Sequence, residues 1–129
     1  MLISQDDARL LGKVAFMGLW QGRFVESETI FTALKDAAPE RIGPLLGLGM
    51  VRAHKGEYAA AIKILEEQAL ALAPEDEHAK AWLGLALFRD GQTKRAKEIL
   101  EPLAGVAAGA DVKTLAAGLL EEMRGSHER

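Results

Sequence analysis

The chain has 129 residues, the length of one ordinary domain, and 49% of them are hydrophobic and 27% charged. These proportions exclude a disordered tail and a collagen-like fibre, and the absence of cysteine excludes a disulfide framework and a thiolate metal site. The net charge of −3 at pH 7 argues against a general affinity for nucleic acid phosphates.

The sequence contains no segment suited to membrane insertion or export. Its longest run without a charged residue, Ile42–Val51, has ten residues, whereas a membrane-spanning helix needs about 20. The N-terminal residues are acidic and lack the basic patch and apolar block of a signal peptide. We therefore expect a cytoplasmic protein that does not insert into membranes.

The composition favours helices along the whole chain. Alanine and leucine, both strong helix formers, supply 41 residues, and no bounded stretch alternates apolar and polar residues as a strand would. Ser4 with Asp7 three residues later predicts a capped helix start, and Pro39 and Pro74 predict helix ends. The sequence predicts an all-α protein with helices over about residues 4–20, 24–36, 40–55, 58–72, 75–91, 93–103 and 111–124.

These helices form a repeat. The turn glycines Gly22, Gly56 and Gly91 are separated by 34 and 35 residues, and Pro39 and Pro74 by 35. Five residues after each glycine the side chain is small, and nine residues after it is large and apolar: Ser27, Ala61 and Ala96, then Phe31, Leu65 and Leu100. Helix pairs of this kind leave one apolar face uncovered, so stacked copies form a solenoid.

With these residues the sequence resembles the tetratricopeptide repeat family over about residues 8–108. The second copy resembles it most, with Leu48-Gly49, Gly56, Tyr58-Ala59-Ala60-Ala61 and Pro74. Three features depart from the family pattern: Gly18 and Thr93 stand where aromatic or large residues are usual, and one extra residue precedes Pro74, within residues 68–73.

The resemblance implies a short right-handed solenoid that forms a single domain over residues 1–129. The repeats would span about residues 8–41, 42–76 and 77–108, and a capping helix over about 109–124 would cover the last one.

No constellation of residues suggests an enzyme, a metal site or a cofactor site. The histidines His54, His78 and His127 are far apart and lack partners at metal-binding spacing. The glycine-rich segment 43–49 follows no strand and lacks the ending of a phosphate-binding loop. We expect a protein without catalytic residues, bound metal or cofactor.

The resemblance also implies a binding surface, because in this family the first helix of each pair lines a concave groove. The predicted groove residues are Lys13, Phe16, Leu19, Trp20, Leu46, Met50, His54, Trp82, Leu85, Phe88 and Arg89. Of these, we expect Phe16, Trp20, Met50, Trp82 and Phe88 to be at least partly exposed. Lys13, Arg89 and Arg9 would contact the backbone or acidic residues of a partner.

Relatives that hold a C-terminal carboxylate use lysine, asparagine and arginine at specified groove positions. Those positions carry Gly12, Phe16, Gly47, His78 and Trp82, so the sequence does not predict such a clamp. The groove suits a protein or peptide with hydrophobic anchors.

The size, repeat number and apolar groove resemble the tetratricopeptide-class chaperones of bacterial type III secretion. This resemblance implies a small cytoplasmic, non-enzymatic chaperone that holds a hydrophobic segment of a partner. The alternative left open is a self-associating scaffold or assembly adaptor, for instance a homodimer, whose groove is filled by its own copies.

Overall fold

The structure is a computed structural model that describes residues 4–105 and 108–127. The described residues form seven helices and no strand. The first four are α1 (Gln5–Trp20), α2 (Phe24–Ala37), α3 (Ile42–His54) and α4, which runs through Tyr58–Lys63, Ile64–Ala69 and Leu70–Leu72. The last three are α5 (Glu77–Arg89), α6 (Thr93–Leu103) and α7 (Ala110–His127).

The prediction of an all-helical solenoid is confirmed. Consecutive helices pack as antiparallel pairs, α1 with α2, α3 with α4 and α5 with α6, and α7 packs on α5 and α6. None of the described helices is long and apolar enough to cross a membrane. The limits of the three repeats stay a prediction.

The three pairs turn with the same backbone geometry. Gly22, Gly56 and Gly91 have φ values of +79°, +79° and +87°, a left-handed conformation that glycine adopts without strain. In each turn the residue after the glycine donates its N–H to a carbonyl five residues earlier, for example from Arg23 to Gly18 at 2.7 Å. This hydrogen bond satisfies one of the free carbonyls at the end of the first helix.

Within each pair the helices approach closely at the small residues. A Cβ added to Gly49 would lie 2.5 Å from Cδ2 of Leu65, and one added to Gly84 would lie 2.5 Å from Cδ2 of Leu100. Both leucines are fully buried. The missing side chain in one helix therefore makes the space that a leucine of the next helix fills.

The first pair has a further close approach between its helices, at Gly18 and Ser27. Ser27 is buried and donates its hydroxyl to the backbone oxygen of Ala15 at 2.8 Å, so the polar group is satisfied. A Cβ on Gly18 would lie 2.8 Å from Oγ of Ser27. The family usually has a large residue at the position of Gly18. Here Ser27 of α2 occupies the space that such a side chain would need.

The extra residue of the second copy lies in a helix that is not α-helical throughout. Ile64–Ala69 forms a π-helical segment within α4. A π turn accommodates an inserted residue without ending the helix, and Leu65 and Ala69 both remain fully buried. The predicted helix over residues 58–72 is present, with this π-helical segment in its middle.

The capping helix α7 is longer than predicted and continues to His127. Its buried face consists of residues at helical spacing, Val112, Ala116, Leu119 and Met123. These residues join the apolar cluster built from α5 and α6, so α7 covers the end of the solenoid.

We predict that Gly84→Ala lowers the free energy of unfolding by about 1–3 kcal/mol, because the new methyl group overpacks against Leu100. Ala61→Leu, at a fully buried position, should be at least as destabilising. Urea unfolding followed by circular dichroism measures both changes.

Gly118→Ala in α7 is the matched control, since its Cβ would meet nothing within 4 Å. This variant should be neutral or more stable by up to about 1 kcal/mol, because alanine favours the helix. Equal stability of Gly84→Ala and the wild type would contradict the close approach of α5 and α6.

Candidate functional site

The first helices of the three pairs present a cluster of aromatic rings on one side of the solenoid. The ring centroids of Trp20 and His54 lie 5.3 Å apart at 79°, and those of His54 and Trp82 lie 5.4 Å apart. Trp20 and Trp82 are themselves 6.4 Å apart, and Phe24 lies 6.4 Å from His54. The cluster therefore bridges all three helix pairs. Trp20 remains 61% exposed within it.

The repeat explains why these rings meet. Trp20 and His54 each stand two residues before a turn glycine, so they occupy the same place at the end of α1 and α3. Nδ1 of His54 donates to the backbone oxygen of Met50 at 2.8 Å, which fixes the ring against α3. In the neutral ring Nε2 is then an acceptor.

Two cavities lie along this side of the molecule and both are mainly apolar. We call the first the central cavity; it has a volume of about 350 Å³ and is lined by Phe16, Trp20, Leu46, Met50, Trp82 and Leu115, with His78, Ala81, Asp111 and Val112. We call the second the α1–α3 cavity; it has a volume of about 390 Å³, and Phe16, Phe31, Leu34 and Ala38 form its apolar wall. Phe16 lines both cavities and packs edge-on against Phe31 at 4.8 Å.

The structure brings five predicted groove residues together around the central cavity: Phe16, Trp20, Leu46, Met50 and Trp82. His54 joins them through the aromatic cluster. Lys13 is exposed on α1 and lines neither cavity.

Two predicted groove residues are buried. Leu19 is 1% exposed because it packs into the apolar cluster with Phe31, Leu48 and Val51. Met50 is 5% exposed and forms the floor of the central cavity, so the expectation that it is partly exposed was wrong.

The structure does not bring the last three predicted residues to the cavities. Leu85 and Phe88 are half-buried and pack against the apolar core next to α6 and α7. Arg89 stacks on Phe88, 5.1 Å from its ring, and donates two hydrogen bonds to Glu122 of α7 at 2.8 and 3.2 Å. Its charge is therefore already paired within the chain.

Helix α7 contributes to the groove, which the sequence did not predict. Asp111, Val112 and Leu115 line the central cavity from the side opposite α1. Ala81 lines the central cavity, and Leu115 stands 34 residues after it, which is one repeat later. Continuing the repeat into α7 therefore predicts that Leu115 lines the groove. The family pattern instead assigned this helix only to covering the last repeat.

Two polar contacts hold α7 against α5, one at each end of α5. Nε2 of His78 lies 2.8 Å from Oδ2 of Asp111, and this hydrogen bond holds the pKa of Asp111 below its usual value. The guanidinium of Arg89 likewise lowers the pKa of Glu122. Both carboxylates stabilise the docked helix only in their charged form.

We predict that acid weakens the docking of α7. Because the folded-state pKa values of Asp111 and Glu122 are lowered, their contribution is present near neutral pH and is lost as the pH falls below about 4. The melting temperature of the double variant Asp111→Asn, Glu122→Gln should therefore fall by less than that of the wild type when the pH is lowered from 7 to 3.5. Thermal unfolding followed by circular dichroism at both pH values measures the difference.

The control for this prediction is Glu67→Gln, an exposed carboxylate on α4. On acidification, the melting temperature of this variant should fall by as much as that of the wild type. An identical pH dependence of the double variant and the wild type would show that the two contacts contribute nothing to the docking of α7. The effect is small in size, because exposed ion pairs are screened by solvent.

The family model described as "Tetratricopeptide repeat" matches residues 52–119 of the chain. No curated protein matches the sequence.

Solved structures are similar over nearly the whole chain. A crystal structure of SycD, the type III secretion translocator chaperone of Yersinia enterocolitica, in an alternative dimer, has a TM-score of 0.82 and 22% identity and covers 100% of both chains. A second SycD structure has a TM-score of 0.78 and 22% identity and covers 98% of this chain and 90% of that one. The first tetratricopeptide domain of Spaghetti (RPAP3), bound to the HSP90 peptide SRMEEVD, has a TM-score of 0.78 and 18% identity and covers 98% of both chains. At these identities the likeness shows the fold.

Proposed function

Because the chain belongs to the tetratricopeptide repeat family, we propose that its groove binds a segment of another protein through hydrophobic side chains, without catalysing a reaction. The observation that carries this proposal is the exposed Trp20 at the rim of the apolar central cavity. An exposed tryptophan at the rim of an apolar cavity is typical of a binding hot spot.

The geometry supports an extended or helical segment rather than a small molecule. The central cavity and the α1–α3 cavity share Phe16 and lie in sequence along α1. A segment that crosses both could place one apolar side chain in each. The half-buried Trp82 and the buried Met50 would form the floor of such a contact.

The more specific proposal is a small cytoplasmic chaperone of the type III secretion class. Its support is the likeness to SycD over the full length of both chains, together with the apolar character of the groove. Such a chaperone would cover a hydrophobic segment of its partner until the partner is delivered. The groove positions that relatives use to hold a terminal carboxylate carry no lysine, asparagine or arginine, which disfavours a peptide held by its C-terminus.

We predict that Trp20→Ala weakens binding of such a segment by about 2–4 kcal/mol, roughly 30- to 1,000-fold, with little change in melting temperature. The probes are synthetic 15-residue peptides with leucine, isoleucine or valine anchors. Tryptophan emission, which should shift to the blue on binding, and calorimetric titration measure the affinity.

Val25→Ala is the control, because Val25 is 72% exposed and lines neither cavity. Unchanged affinity in Trp20→Ala would contradict binding in the groove. Trp82→Ala is less suitable, since Trp82 packs against all three apolar clusters and its loss should also lower stability.

A second proposal concerns self-association, and a different surface favours it. Leu10, Val14 and Met17 lie on one face of α1, directed away from α2 and the groove, and all three are exposed. Asp6 and Asp7 stand at the start of this helix, and Arg23 follows its end. An antiparallel pair of α1 helices would align the apolar face with its copy and bring the acidic start near the partner's Arg23.

We predict that Val14→Glu shifts the protein from dimer to monomer, because a two-fold axis near Val14 would bring the two carboxylates together. Sedimentation equilibrium at micromolar to 100-micromolar concentrations measures the change. Leu72→Glu, at an apolar residue of α4 that is 41% exposed, is the control and should leave the state unchanged. A wild type that is monomeric throughout this range would contradict the proposal.

A further inference from the structure

The α1–α3 cavity combines an apolar wall with positive charge. Phe31, Leu34 and Ala38 are buried within it, whereas Arg9 is exposed and Arg41 half-buried at its edge. Among the described residues, no acidic side chain lines this cavity. The central cavity differs, because its His78 is already bonded to Asp111.

The two arginines have no carboxylate partner among the described residues. The ion pairs of the described part of the chain involve Arg52, Lys55, His78, Lys80, Arg89, Arg95 and Arg124. Arg9 lies on α1 and Arg41 directly before α3, so the two cations face the cavity from opposite helices. A guanidinium pairs well with a carboxylate, since its donors match both oxygens.

We propose, on the basis of the peptide-binding function above, that this cavity receives a bulky apolar side chain of the partner whose neighbouring residue carries a carboxylate. The apolar side chain contacts Phe16 and Phe31, and the carboxylate binds Arg9 and Arg41. The bound segment excludes water from the edge of the cavity, which strengthens the charged hydrogen bonds.

This pairing also sets the direction of the bound segment. The whole chain carries a net charge of −3, whereas two arginines line this cavity, so an acidic segment is attracted to the cavity more than to the average surface. The carboxylate therefore lies at the end of the groove formed by the start of α1. The apolar anchors that follow it would reach the central cavity, where Phe16 is shared.

The space in the cavity depends on two glycines. A Cβ added to Gly12 or to Gly43 would meet nothing within 4 Å, and both residues line the cavity. A leucine in place of Gly12 would occupy the space of the partner's side chain. Because Gly12 lies in the middle of α1 and leucine has a higher helix propensity than glycine, this substitution also favours the helix.

The experiment compares two fluorescein-labelled 12-residue peptides with the same three leucine anchors. The first leucine is followed by aspartate in one peptide and by asparagine in the other. We expect the aspartate peptide to bind about tenfold more tightly in 50 mM NaCl, and the difference to shrink in 500 mM NaCl. In the double variant Arg9→Gln, Arg41→Gln the two peptides should bind equally, with the affinity that the asparagine peptide has for the wild type.

The controls separate the charge, the cavity and the groove. Arg23→Gln, at an exposed arginine outside the cavity, should keep the tenfold difference. Gly12→Leu should weaken both peptides at least tenfold, whereas Gly118→Leu should weaken neither, with folding checked by thermal unfolding.

The other possible outcomes contradict either the carboxylate preference, the use of this cavity or the groove function as a whole. Equal binding of both peptides to the wild type would overturn the carboxylate preference and leave the groove function intact. Binding that depends on Trp20 but not on Gly12 would overturn the use of this cavity. If neither peptide binds the wild type, both this inference and the proposed function are contradicted.

Discussion

The close approach of two helices at a residue without a side chain is the contact on which this fold depends. Gly49 and Gly84 let Leu65 and Leu100 enter the space beside the first helix, and the leucines are fully buried there. This contact places the second helix of each pair on one side of the first. The other side of α1, α3 and α5 is left without a partner inside its own repeat, and that side forms the groove.

The groove is closed at one end by α7 and carries positive charge at the other. His78 and Arg89 of α5 bind Asp111 and Glu122 of α7, so the last helix lies against the solenoid and contributes Leu115 to the central cavity. At the opposite end Arg9 and Arg41 border an apolar cavity, and the described residues that line it include no aspartate or glutamate. This asymmetry gives the groove a direction, which a purely apolar surface would lack.

The residues of the proposed binding groove are not all separate from those of the apolar core. Trp82 lies in the aromatic cluster and also packs against all three apolar clusters. Met50 lines the central cavity and belongs to the core around Phe31. Trp20 is different, since most of its surface is exposed and its loss removes little core packing. Within this aromatic cluster, the side chain that contributes least to the core is therefore Trp20 of α1.

The sequence by itself determined the helices, the turns and the repeat. Gly22, Gly56 and Gly91 form the turns that the sequence predicts, and Ser27, Ala61 and Ala96 are buried at the helix contacts. These features are local, because a turn and a small residue act within one helix pair. A period of about 34 residues then carries them from one pair to the next.

Only the tertiary structure decided how the helices are rotated and what each side chain meets. Leu19 turns into the core, Arg89 pairs with Glu122, and α7 contributes to the groove. The extra residue of the second copy is taken up as a π segment, which the residue spacing did not specify. These outcomes depend on contacts between residues far apart in the chain, often about one repeat away. A periodic pattern fixes which face of a helix is apolar, but the neighbouring helices decide which residues of that face remain exposed.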